Sequence, residues 1–454
     1  MNTTIFLASF LPQSITDPFH SLTSSVSCNH FPQLIKPHSL RRSKKQKILL
    51  FHGVFLADQV IKGKIGLVDM PVSLDIQQGL LKVSKHSLVK LASGPWKEDD
   101  EAMRPCWKKL YKTKKGEQTN GYISLSLTKG PEYHALQIAN AIMIAKHLGA
   151  TLVLPDIKGG KVSEKRMFGE IYDPQKFTTS LDGVIQVVKD PINQQVGEKV
   201  VIVKVPERVT EKFISAHIEP ILKKKKQVRL TSQYQSSNLT KAKEIGDYLN
   251  PYACLAMFGS LDLHPQLKEL VDSMVRTLRF LSWKSSAGKF ITVDVKVTEF
   301  KNKLSCQRND TTSKEYCYGA EEIGQFLEKI GFRKGTTVYL TQTEWHESLR
   351  PLRKYFPNTF TKDAVMPIDL KARYLDSGNF EYEKFIDFYL CMQSDVFVAT
   401  TMNMFYNNVA EMRIASGKTQ ILIPANKLST SAADYLSPHI LKKNHMAYSC
   451  LCKI

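Results

Sequence analysis

The chain has no stretch that reads as a membrane-spanning helix. Such a helix needs roughly 18 or more consecutive apolar residues, and none occurs among the 454 residues. The nearest candidate, residues 47–70, is interrupted by Asp58, Lys62 and Lys64. The sequence therefore predicts no transmembrane helix.

Metal-binding patterns are also lacking. The eight cysteines include no CxxC pair, and no cluster of His and Cys has the spacing of a zinc site. No Asp-x-Asp motif occurs anywhere in the chain. We therefore expect no metal site.

The sequence leaves the state of its cysteines open. Cys306 and Cys317 flank a polar, turn-prone stretch and could close a disulfide loop, although reduced, buried thiols fit about equally well. The sequon Asn309-Asp-Thr311 lies inside that loop, and a second sequon begins at Asn238. A disulfide and a sequon in one loop fit an oxidising, lumenal compartment.

Acidic residues are nearly absent from the first 50 positions, where Asp17 is the only one. This segment is rich in Ser, His and basic residues, which is typical of a transit peptide or of a disordered arm. We interpret residues 1–118 as a poorly ordered targeting or stem region. A plastid transit peptide is one alternative for its beginning.

The formal net charge of +20 is unusually high for a globular chain. Such a charge fits nucleic acid, an anionic membrane surface or phosphorylated ligands as partners. The basic runs, at residues 41–47, 108–115 and 223–226, are not interleaved with aromatic residues, and no zinc finger or RNP motif occurs. Nucleic-acid binding, which would weaken steeply with salt, is therefore not expected.

The most informative segment is residues 120–156. Residues 122–127 alternate apolar and polar side chains and end before Gly130, which predicts a strand entering a turn. Apolar residues then recur at helical spacing up to Gly149, and residues 151–155 form a short apolar run. A strand, a crossover helix and a parallel strand form one βαβ unit.

Strands and helices are expected to alternate through both halves of the chain. In the first half, we expect strands at residues 183–188 and 199–205. Between residues 209 and 230 we expect a helix that ends in the lysine run at 223–226. In the second half, we expect strands at residues 289–297, 336–341, 395–398 and 420–424, and helices at 264–280, 320–330, 348–355, 382–392 and 404–415. This pattern predicts two parallel-sheet domains, residues 119–255 and 256–454, with the last strand and the tail packing back.

Three motifs carry a resemblance to a known family. They are HLGATLVLPDI at residues 147–157, VYLTQTEWHESLRPLRKYFPNTFTKD at 338–363 and FIDFYLCMQSDVFVATTMNMFYNNVAEMR at 385–413. Together they resemble the plant O-fucosyltransferase-like glycosyltransferases, and the resemblance extends over residues 119–452. The motif TKGPEYHALQI and the C-terminal SPHILKKNHMAYSCLC are similar to the mannan synthesis-related branch of that family.

The resemblance implies both a fold and an activity. The fold is α/β and GT-B-like, with two Rossmann-like parallel-sheet domains and an interdomain crevice. The activity is metal-independent transfer of a sugar from a GDP-sugar donor to a polysaccharide or glycan acceptor, without a further cofactor, in cell-wall mannan synthesis and fucose metabolism. The resemblance also implies the Golgi lumen as the location and suggests a mannan synthase as a partner.

Three features depart from the pattern of the wider family. A glycine-rich motif is replaced by Lys129-Gly-Pro-Glu-Tyr-His134, and the arginine of that motif falls near Ala135. A His-Leu-Arg triplet, whose arginine contacts the donor diphosphate, is replaced by Asp294-Val-Lys296. Lysine keeps the positive charge but lacks the bidentate contact of arginine. Relatives also carry an N-terminal membrane anchor that this N-terminus does not display.

Donor-binding candidates follow from the resemblance, because a diphosphate leaving group needs cations and N–H groups around it. Lys296 is the candidate for the diphosphate contact, and a solvent-facing lysine is the alternative. The other donor-binding candidates lie in the matched motifs: Gly130, Ser394, Asp395, Thr400, Asn403 and Arg413. A helix cap or a packed arginine is the competing explanation for several of them.

Three residues are candidates for the chemical step. Glu132 and His134 lie at the start of the opening helix, where a carboxylate suits the helix dipole but would repel a phosphate. This favours a role at the acceptor or as a general base. Asp294 lies two residues before Lys296 and could orient it, act as a base or form a salt bridge. The substitutions at Ala135 and Lys296 leave a second hypothesis open, a non-catalytic partner of a mannan synthase with the same fold.

Overall fold

The computed structural model describes residues 95–96, 103–105, 107, 119–128, 130–158, 165–190, 200–232, 251–297, 318–375, 380–425, 427–443 and 445–453. All of them belong to one compact unit, Gly79–Ile454, and the other unit, Met1–Gln78, lies outside the described residues. The Cys306–Cys317 pair and both sequons also lie outside them, so these predictions stay predictions. Within the described ranges, no helix is long and apolar enough to cross a membrane.

The first half of the described chain alternates strands with helices, as predicted. The strands are β1 (Met103–Pro105), β2 (Tyr122–Leu127), β3 (Thr151–Val153), β4 (Asp156–Lys158), β5 (Lys165–Met167), β6 (Val187–Val188), β7 (Val201–Val205) and β8 (Gln227–Ser232). The helices are α1 (Pro131–Leu148), α2 (Pro174–Ser180), α3 (Glu211–Phe213), α4 (Glu219–Lys225) and α5 (Pro251–Phe258). A π-helical turn, Ile214–Ile218, joins α3 to α4.

Helix α1 begins and ends where the sequence predicts. Pro131 lies in its first turn, where a missing N–H costs no hydrogen bond. Gly149 ends the helix in the left-handed conformation, with φ 60° and ψ 34°. Asn120 Nδ2 donates to the Leu148 carbonyl at 2.8 Å, which ties the end of the helix to the start of β2. The helix packs on β2, so the turn at Gly130 connects a strand and a helix that contact each other.

The first sheet contains the parallel strand order β7-β8-β2-β3-β6. Strand β4 pairs with the tip of β2, and β5 runs antiparallel to β4. From β2 the chain adds strands on one side and then crosses to the other, so the strand order reverses between β2 and β8. The helix predicted between residues 209 and 230 ends in the lysine run, as α4 does. No strand was predicted for β8, in which Val228 and Leu230 are buried at alternate positions.

The second half repeats the alternation around a second sheet. Its strands are β9 (Phe290–Asp294), β10 (Thr337–Leu340), β11 (Thr359–Phe360), β12 (Val396–Ala399) and β13 (Ile421–Leu422), and β14 (Leu451–Lys453) lies in the tail. Its helices are α6 (Pro265–Leu281), α7 (Trp283–Ser286), α8 (Ala320–Lys329), α9 (Arg350–Tyr355), α10 (Lys362–Val365), α11 (Ile368–Tyr374), α12 (Phe380–Gln393), α13 (Met404–Ala415) and α14 (Pro438–Leu441).

The second sheet has the order β11-β10-β9-β12-β13, and every neighbouring pair is parallel. The chain starts at the central strand β9, adds β10 and β11 on one side, and then crosses to β12 and β13 on the other. All five residues of β9 are buried, as expected for a parallel strand that is covered on both faces. The strand order therefore reverses between β9 and β12.

Helix α12 joins the two halves. It packs against α1 from the first half and against α6 from the second. The largest buried apolar cluster accordingly includes Ile123 from β2, Phe290 from β9 and Phe385 from α12. The two sheets therefore share part of one core.

The C-terminal tail packs back on earlier elements, as predicted. Strand β14 pairs antiparallel with β1. A disulfide joins Cys254 in α5 to Cys450, across a sequence separation of 196 residues. The sequence did not point to this pair, because nothing in the spacing of the cysteines relates positions so far apart.

The predicted fold class is confirmed. The protein is α/β and GT-B-like, with two Rossmann-like parallel sheets flanked by helices. The division into domains at residues 119–255 and 256–454 stays a prediction, because both sheets belong to one compact unit.

Candidate functional site

The carboxyl ends of β9 and β12 meet where the strand order of the second sheet reverses. Ligands of open α/β sheets bind outside the carboxyl ends of the strands at such a point. Asp294, the last residue of β9, is in register with Ala399, the last residue of β12. Thr400 and the start of α13 follow directly. We take this edge as the candidate site.

Asp294 is buried at the centre of the edge, with 5% of its surface exposed. Its Oδ1 accepts a hydrogen bond from Thr341 Oγ1 at 2.9 Å, and its main-chain carbonyl accepts one from Thr400 Oγ1 at 2.7 Å. Burial raises the pKa of the Asp294 carboxyl from 3.8 to about 6, against the opposing effects of Thr341, Lys296 and Asn403. The carboxyl therefore changes charge near pH 6.

Lys296 lies two residues beyond the end of β9, and its side chain is exposed. The sequence predicts it inside the strand, but β9 ends at Asp294. The charge of Lys296 lowers the pKa of Asp294, so the two groups interact across the edge. This position after the strand leaves the Lys296 side chain exposed at the carboxyl edge of the second sheet.

Helix α13 begins at the same edge. Asn403 is its N-cap, because its Oδ1 accepts from the Tyr406 N–H at 2.9 Å. Asn403 Nδ2 also donates to Thr401 Oγ1 at 2.9 Å. The first N–H groups of a helix have no partner within it, and the positive end of the helix dipole favours an anion. Asn403 can therefore cap α13 while other N–H groups of the first turn contact a ligand.

Three predicted donor contacts lie at the opposite edge of the sheet. Ser394 and Asp395 precede β12, so the whole strand separates them from Thr400. Arg413 is fully buried. Its guanidinium donates, over 2.8–3.1 Å, to the carbonyl oxygens of Cys391, Ser394, Asp395 and Gln420. The structure does not bring these three residues to Asp294.

Ser394 and Asp395 form hydrogen bonds that stabilise the fold. Ser394 Oγ lies 2.8 Å from Thr292 Oγ1. Asp395 Oδ2 accepts from the Phe290 N–H at 3.0 Å and from Arg279 Nη1 at 3.2 Å. These bonds hold the amino ends of β9 and β12 together.

Gly130 lies at the carboxyl edge of the first sheet, where the strand order reverses between β2 and β8. It is the N-cap residue of α1 and has an extended backbone, with φ −154° and ψ 178°. Gln137 stabilises the turn, since its Oε1 accepts from the Thr128 N–H at 3.0 Å and its Nε2 donates to Thr128 Oγ1 at 2.9 Å. Glu132 follows in the first turn of α1, but its side chain lies outside the described part of the structure.

His134 is buried between the two halves, with 1% of its surface exposed. Its Nδ1 lies 2.8 Å from Tyr172 Oη, and its ring centre lies 5.6 Å from that of Phe385 in α12. Burial lowers the pKa of His134 from 6.5 to about 3. The neutral, enclosed ring fits a packing role between the halves better than contact with an acceptor.

Sequence reasoning missed the polar residues beside Asp294 on the β10 side. Thr341 directly follows β10, so the rule that strand ends meet at one edge could have found it. Lys362 lies behind it and forms ion pairs with both Glu383 and Asp387. Their separation along the chain gave no signal in a single sequence.

A metal site and a cavity are two other features that could bind a ligand. In the described ranges, no group of three or more His, Cys, Asp or Glu side chains could hold a metal ion. A cavity of about 1070 Å³ lies on the first sheet, where its lining includes Tyr122, Asp156 and Arg229 but no predicted site residue. We favour the edge at Asp294 over this cavity, because the edge lies at the carboxyl ends of the strands and joins the reversal of strand order to the N-terminus of α13 and to Lys296.

Comparison with known proteins places these observations in a family. Residues 133–415 match the family model of the GDP-fucose protein O-fucosyltransferases. MANNAN SYNTHESIS-RELATED 2 of Arabidopsis thaliana is 47% identical over 379 residues, which cover 83% of this chain and 88% of that protein. MANNAN SYNTHESIS-RELATED of Trigonella foenum-graecum is 39% identical over 376 residues, which cover 82% and 90%.

Solved structures with a related fold are more distant. POFUT1 in complex with GDP-fucose has 13% sequence identity and a TM-score of 0.36, over 66% of this chain and 95% of its own. NodZ alpha-1,6-fucosyltransferase soaked with GDP-fucose has 14% identity and a TM-score of 0.39, over 69% and 97%. At this distance, no residue of either enzyme is matched to a residue of this chain.

The fold is α/β, and the family model that the chain matches is one of glycosyltransferases. The chain belongs to the GDP-fucose protein O-fucosyltransferase family, whose model matches more than half of its length. Within that family it is similar to the plant proteins named for mannan synthesis.

Proposed function

We propose that this protein transfers a sugar from a GDP-sugar donor to a glycan acceptor in cell-wall mannan synthesis. The donor binds at the carboxyl edge of the second sheet. The observation that carries the proposal is the convergence of Asp294, Lys296 and Asn403 on that edge. The family match and the names of the relatives support the class of donor and the process.

The edge provides the groups that a nucleoside diphosphate leaving group requires. Negative charge grows on the diphosphate as the glycosidic bond breaks, and preorganised cations and N–H groups stabilise it. Lys296 supplies the cation, and the first turn of α13 supplies the N–H groups. Each charge-assisted hydrogen bond of this kind contributes about 1.5–3 kcal/mol. Because these groups stabilise the leaving diphosphate, the proposed reaction uses no metal ion and no further cofactor.

Asp294 makes donor binding depend on pH. An ionised carboxylate beside the diphosphate repels it, whereas a protonated carboxyl can donate a hydrogen bond to it. The pKa of Asp294 is about 6. Donor affinity should therefore fall as the pH rises through about 6.

On the acceptor side, we assign the general base to Glu132 in the first turn of α1. Glu132 lies just after Gly130, at the point where the strand order of the first sheet reverses. A carboxylate there can take the proton of an acceptor hydroxyl as the new bond forms. Glu132→Gln should then lower the rate of transfer to the acceptor while GDP binding stays unchanged.

The test is a panel of nucleotide sugars incubated with the purified full-length chain. Release of free GDP from one GDP-sugar, enhanced by a mannan oligosaccharide, is the expected result. The same reaction with Lys296→Ala tests the proposed diphosphate contact and should release less GDP. Equal release from GDP-, UDP- and ADP-linked sugars, or none from any of them, would count against the proposed transfer.

A second candidate function is that of a non-catalytic partner of a mannan synthase. The observation that favours it is Asp294, a buried carboxyl next to the proposed diphosphate position. This function predicts that a mannan synthase makes more polymer when the chain is co-expressed and that Glu132→Gln retains this effect. Loss of the effect in Glu132→Gln would favour the transferase instead.

We propose the Golgi lumen as the compartment. The Cys254–Cys450 disulfide supports an oxidising location, and Cys452 is disulfide-bonded as well. A fluorescent tag at the C-terminus of the full-length chain tests the location. A Golgi pattern is expected, and a plastid pattern would contradict the proposal in favour of a transit peptide.

A further inference from the structure

A buried cluster of charged residues lies behind the candidate site. Lys362, the first residue of α10, has 1% of its side chain exposed. Its Nζ lies 2.9 Å from Asp387 Oδ2 and 3.4 Å from Glu383 Oε2, both on α12. Tyr339 Oη donates to the other Asp387 oxygen at 2.7 Å. Two carboxylates therefore share one buried cation.

The cluster is bonded to residues 341–343, which leave β10 and are called the exit loop here. Lys362 Nζ donates to Thr343 Oγ1 at 3.3 Å, and Thr343 Oγ1 donates to Glu383. The main-chain N–H of Lys362 donates to the Gln342 carbonyl at 2.9 Å. Lys362 thus holds the exit loop through both its side chain and its backbone.

The exit loop in turn holds the end of β9. Thr341 Oγ1 donates to Asp294 Oδ1 at 2.9 Å and accepts from the Val295 N–H at 3.1 Å. Gln342 Nε2 donates to the Val295 carbonyl. Lys296 is the next residue, so a shift of the exit loop moves the cation that is proposed to contact the donor.

We propose that Lys362 and Asp387 are a positioning pair for the donor site, which holds the exit loop and, through it, Asp294 and Lys296 in the binding geometry. This inference rests on the proposed function. The same pair also acts through charge: burial is the main cause of the raised pKa of Asp294, and the charge of Asp387 adds to it. Asp387 therefore adds to the raised pKa of Asp294 as well as holding the exit loop through Lys362.

A purely stabilising role makes a different prediction. Well-packed neutral residues often replace a buried ion pair without loss of stability, so such a pair is weak evidence for stabilisation. A positioning role requires that the neutral replacement folds but binds the donor less well. Several groups face Asp294 and could also affect its charge: Lys296 on the loop after β9, Thr341 on the exit loop, Asp387 and Cys391 on α12, and Asn403 on α13.

The test uses the full-length chain and three variants. Lys362→Met combined with Asp387→Asn removes both charges of the pair. Glu383 then loses Lys362 but keeps the hydrogen bond from Thr343. Asp387→Asn alone keeps Lys362 next to Glu383. Lys176→Met breaks an exposed ion pair with Asp262 and is the matched control.

Calorimetric titration with GDP from about pH 5 to about pH 8 spans the charge change of Asp294. The double variant should bind GDP about tenfold more weakly, which corresponds to one misplaced hydrogen bond. Asp387→Asn should keep its affinity at the acidic end but lose affinity from a lower pH than wild type, because a charge that raises the pKa of Asp294 is gone. The control should match wild type. Wild-type affinity and pH dependence in both test variants would overturn the proposal.

Hydrogen–deuterium exchange of the ligand-free proteins separates this inference from the proposed function. In the double variant, the amides of Val295 and Lys362, which bond to the exit loop, should exchange faster, while the first sheet stays protected. If wild type binds no GDP but this change occurs, the donor proposal fails and the positioning of the loop stands. Unchanged exchange at both amides would refute the positioning role.

Discussion

Asp294→Asn is the most direct perturbation of the electrostatics of the site. The carboxyl is 5% exposed, and burial raises its pKa from 3.8 to about 6. A rise of about two pKa units corresponds to about 3 kcal/mol of free energy. Asparagine has nearly the same size and can still accept the hydrogen bond from Thr341, but it does not titrate.

The sign of the effect follows from proton binding. Between pH 3.8 and about 6, the folded state keeps a proton that the unfolded state has lost. The free energy of unfolding of the wild type therefore falls as the pH rises through this window, and the full loss is present above it. Relative to wild type, Asp294→Asn should gain up to about 3 kcal/mol between pH 4 and pH 8.

Urea unfolding of wild type and variant at about pH 4 and about pH 8 measures this difference. Asp190→Asn, which replaces an exposed carboxylate, serves as the control and should show no such change. A difference between Asp294→Asn and wild type that is the same at both pH values would refute the reasoning. The variant should also bind GDP more tightly than wild type at the alkaline end, because an ionised carboxylate no longer faces the diphosphate.

Three further predictions concern residues that the structure places away from the donor edge. Arg413→Lys should lower the free energy of unfolding by about 3 kcal/mol, because buried carbonyls lose donors that lysine does not replace; an unchanged denaturation midpoint would contradict this. Cys254→Ser should cost about 2–5 kcal/mol, and reduction should lower the melting temperature of wild type by more than that of this variant, which keeps only the disulfide of Cys452 among those described. His134 resists protonation when folded, with a pKa of about 3 against 6.5, so wild type loses stability as the pH falls through this range. His134→Leu should lose less stability than wild type in acid, and equal acid sensitivity in thermal unfolding would contradict the assignment.

Local patterns in the sequence were enough to predict most of the fold. The helix predicted at residues 404–415 has these bounds in the structure, because Asn403 caps it and apolar residues recur along it. Strand β8 was not predicted, because its short apolar alternation follows a lysine-rich helix without a clear break. The Cys254–Cys450 disulfide depends on how the tail folds back, which no local pattern encodes.

The candidate site could be predicted only in part. Asp294 was found on the strand that matches the family's diphosphate-contacting strand, and Thr400 was found because it follows a buried strand. The carboxyl ends of these parallel strands meet at one edge. Ser394 and Asp395 lie only a few residues before Thr400, yet the length of β12 puts them at the other edge. The burial of His134 depends on Phe385, which comes from the other half of the chain. Contacts between distant segments are not readable from one sequence.

The central claim is that a GDP-linked donor binds at the carboxyl edge of the second sheet through Lys296. Titration with GDP of wild type, Lys296→Ala, Lys296→Arg and Lys289→Ala tests it most directly. Lys289 and Lys296 flank the same strand, β9, at its opposite ends, so Lys289→Ala is the matched control.

Lys296→Ala should weaken GDP binding roughly tenfold to a hundredfold, through the loss of a charge-assisted hydrogen bond. Lys296→Arg should bind as well as wild type or better, because its fork can engage two oxygens, and Lys289→Ala should bind as wild type does. Wild-type affinity in Lys296→Ala, or an equal loss in Lys289→Ala, would contradict the claim.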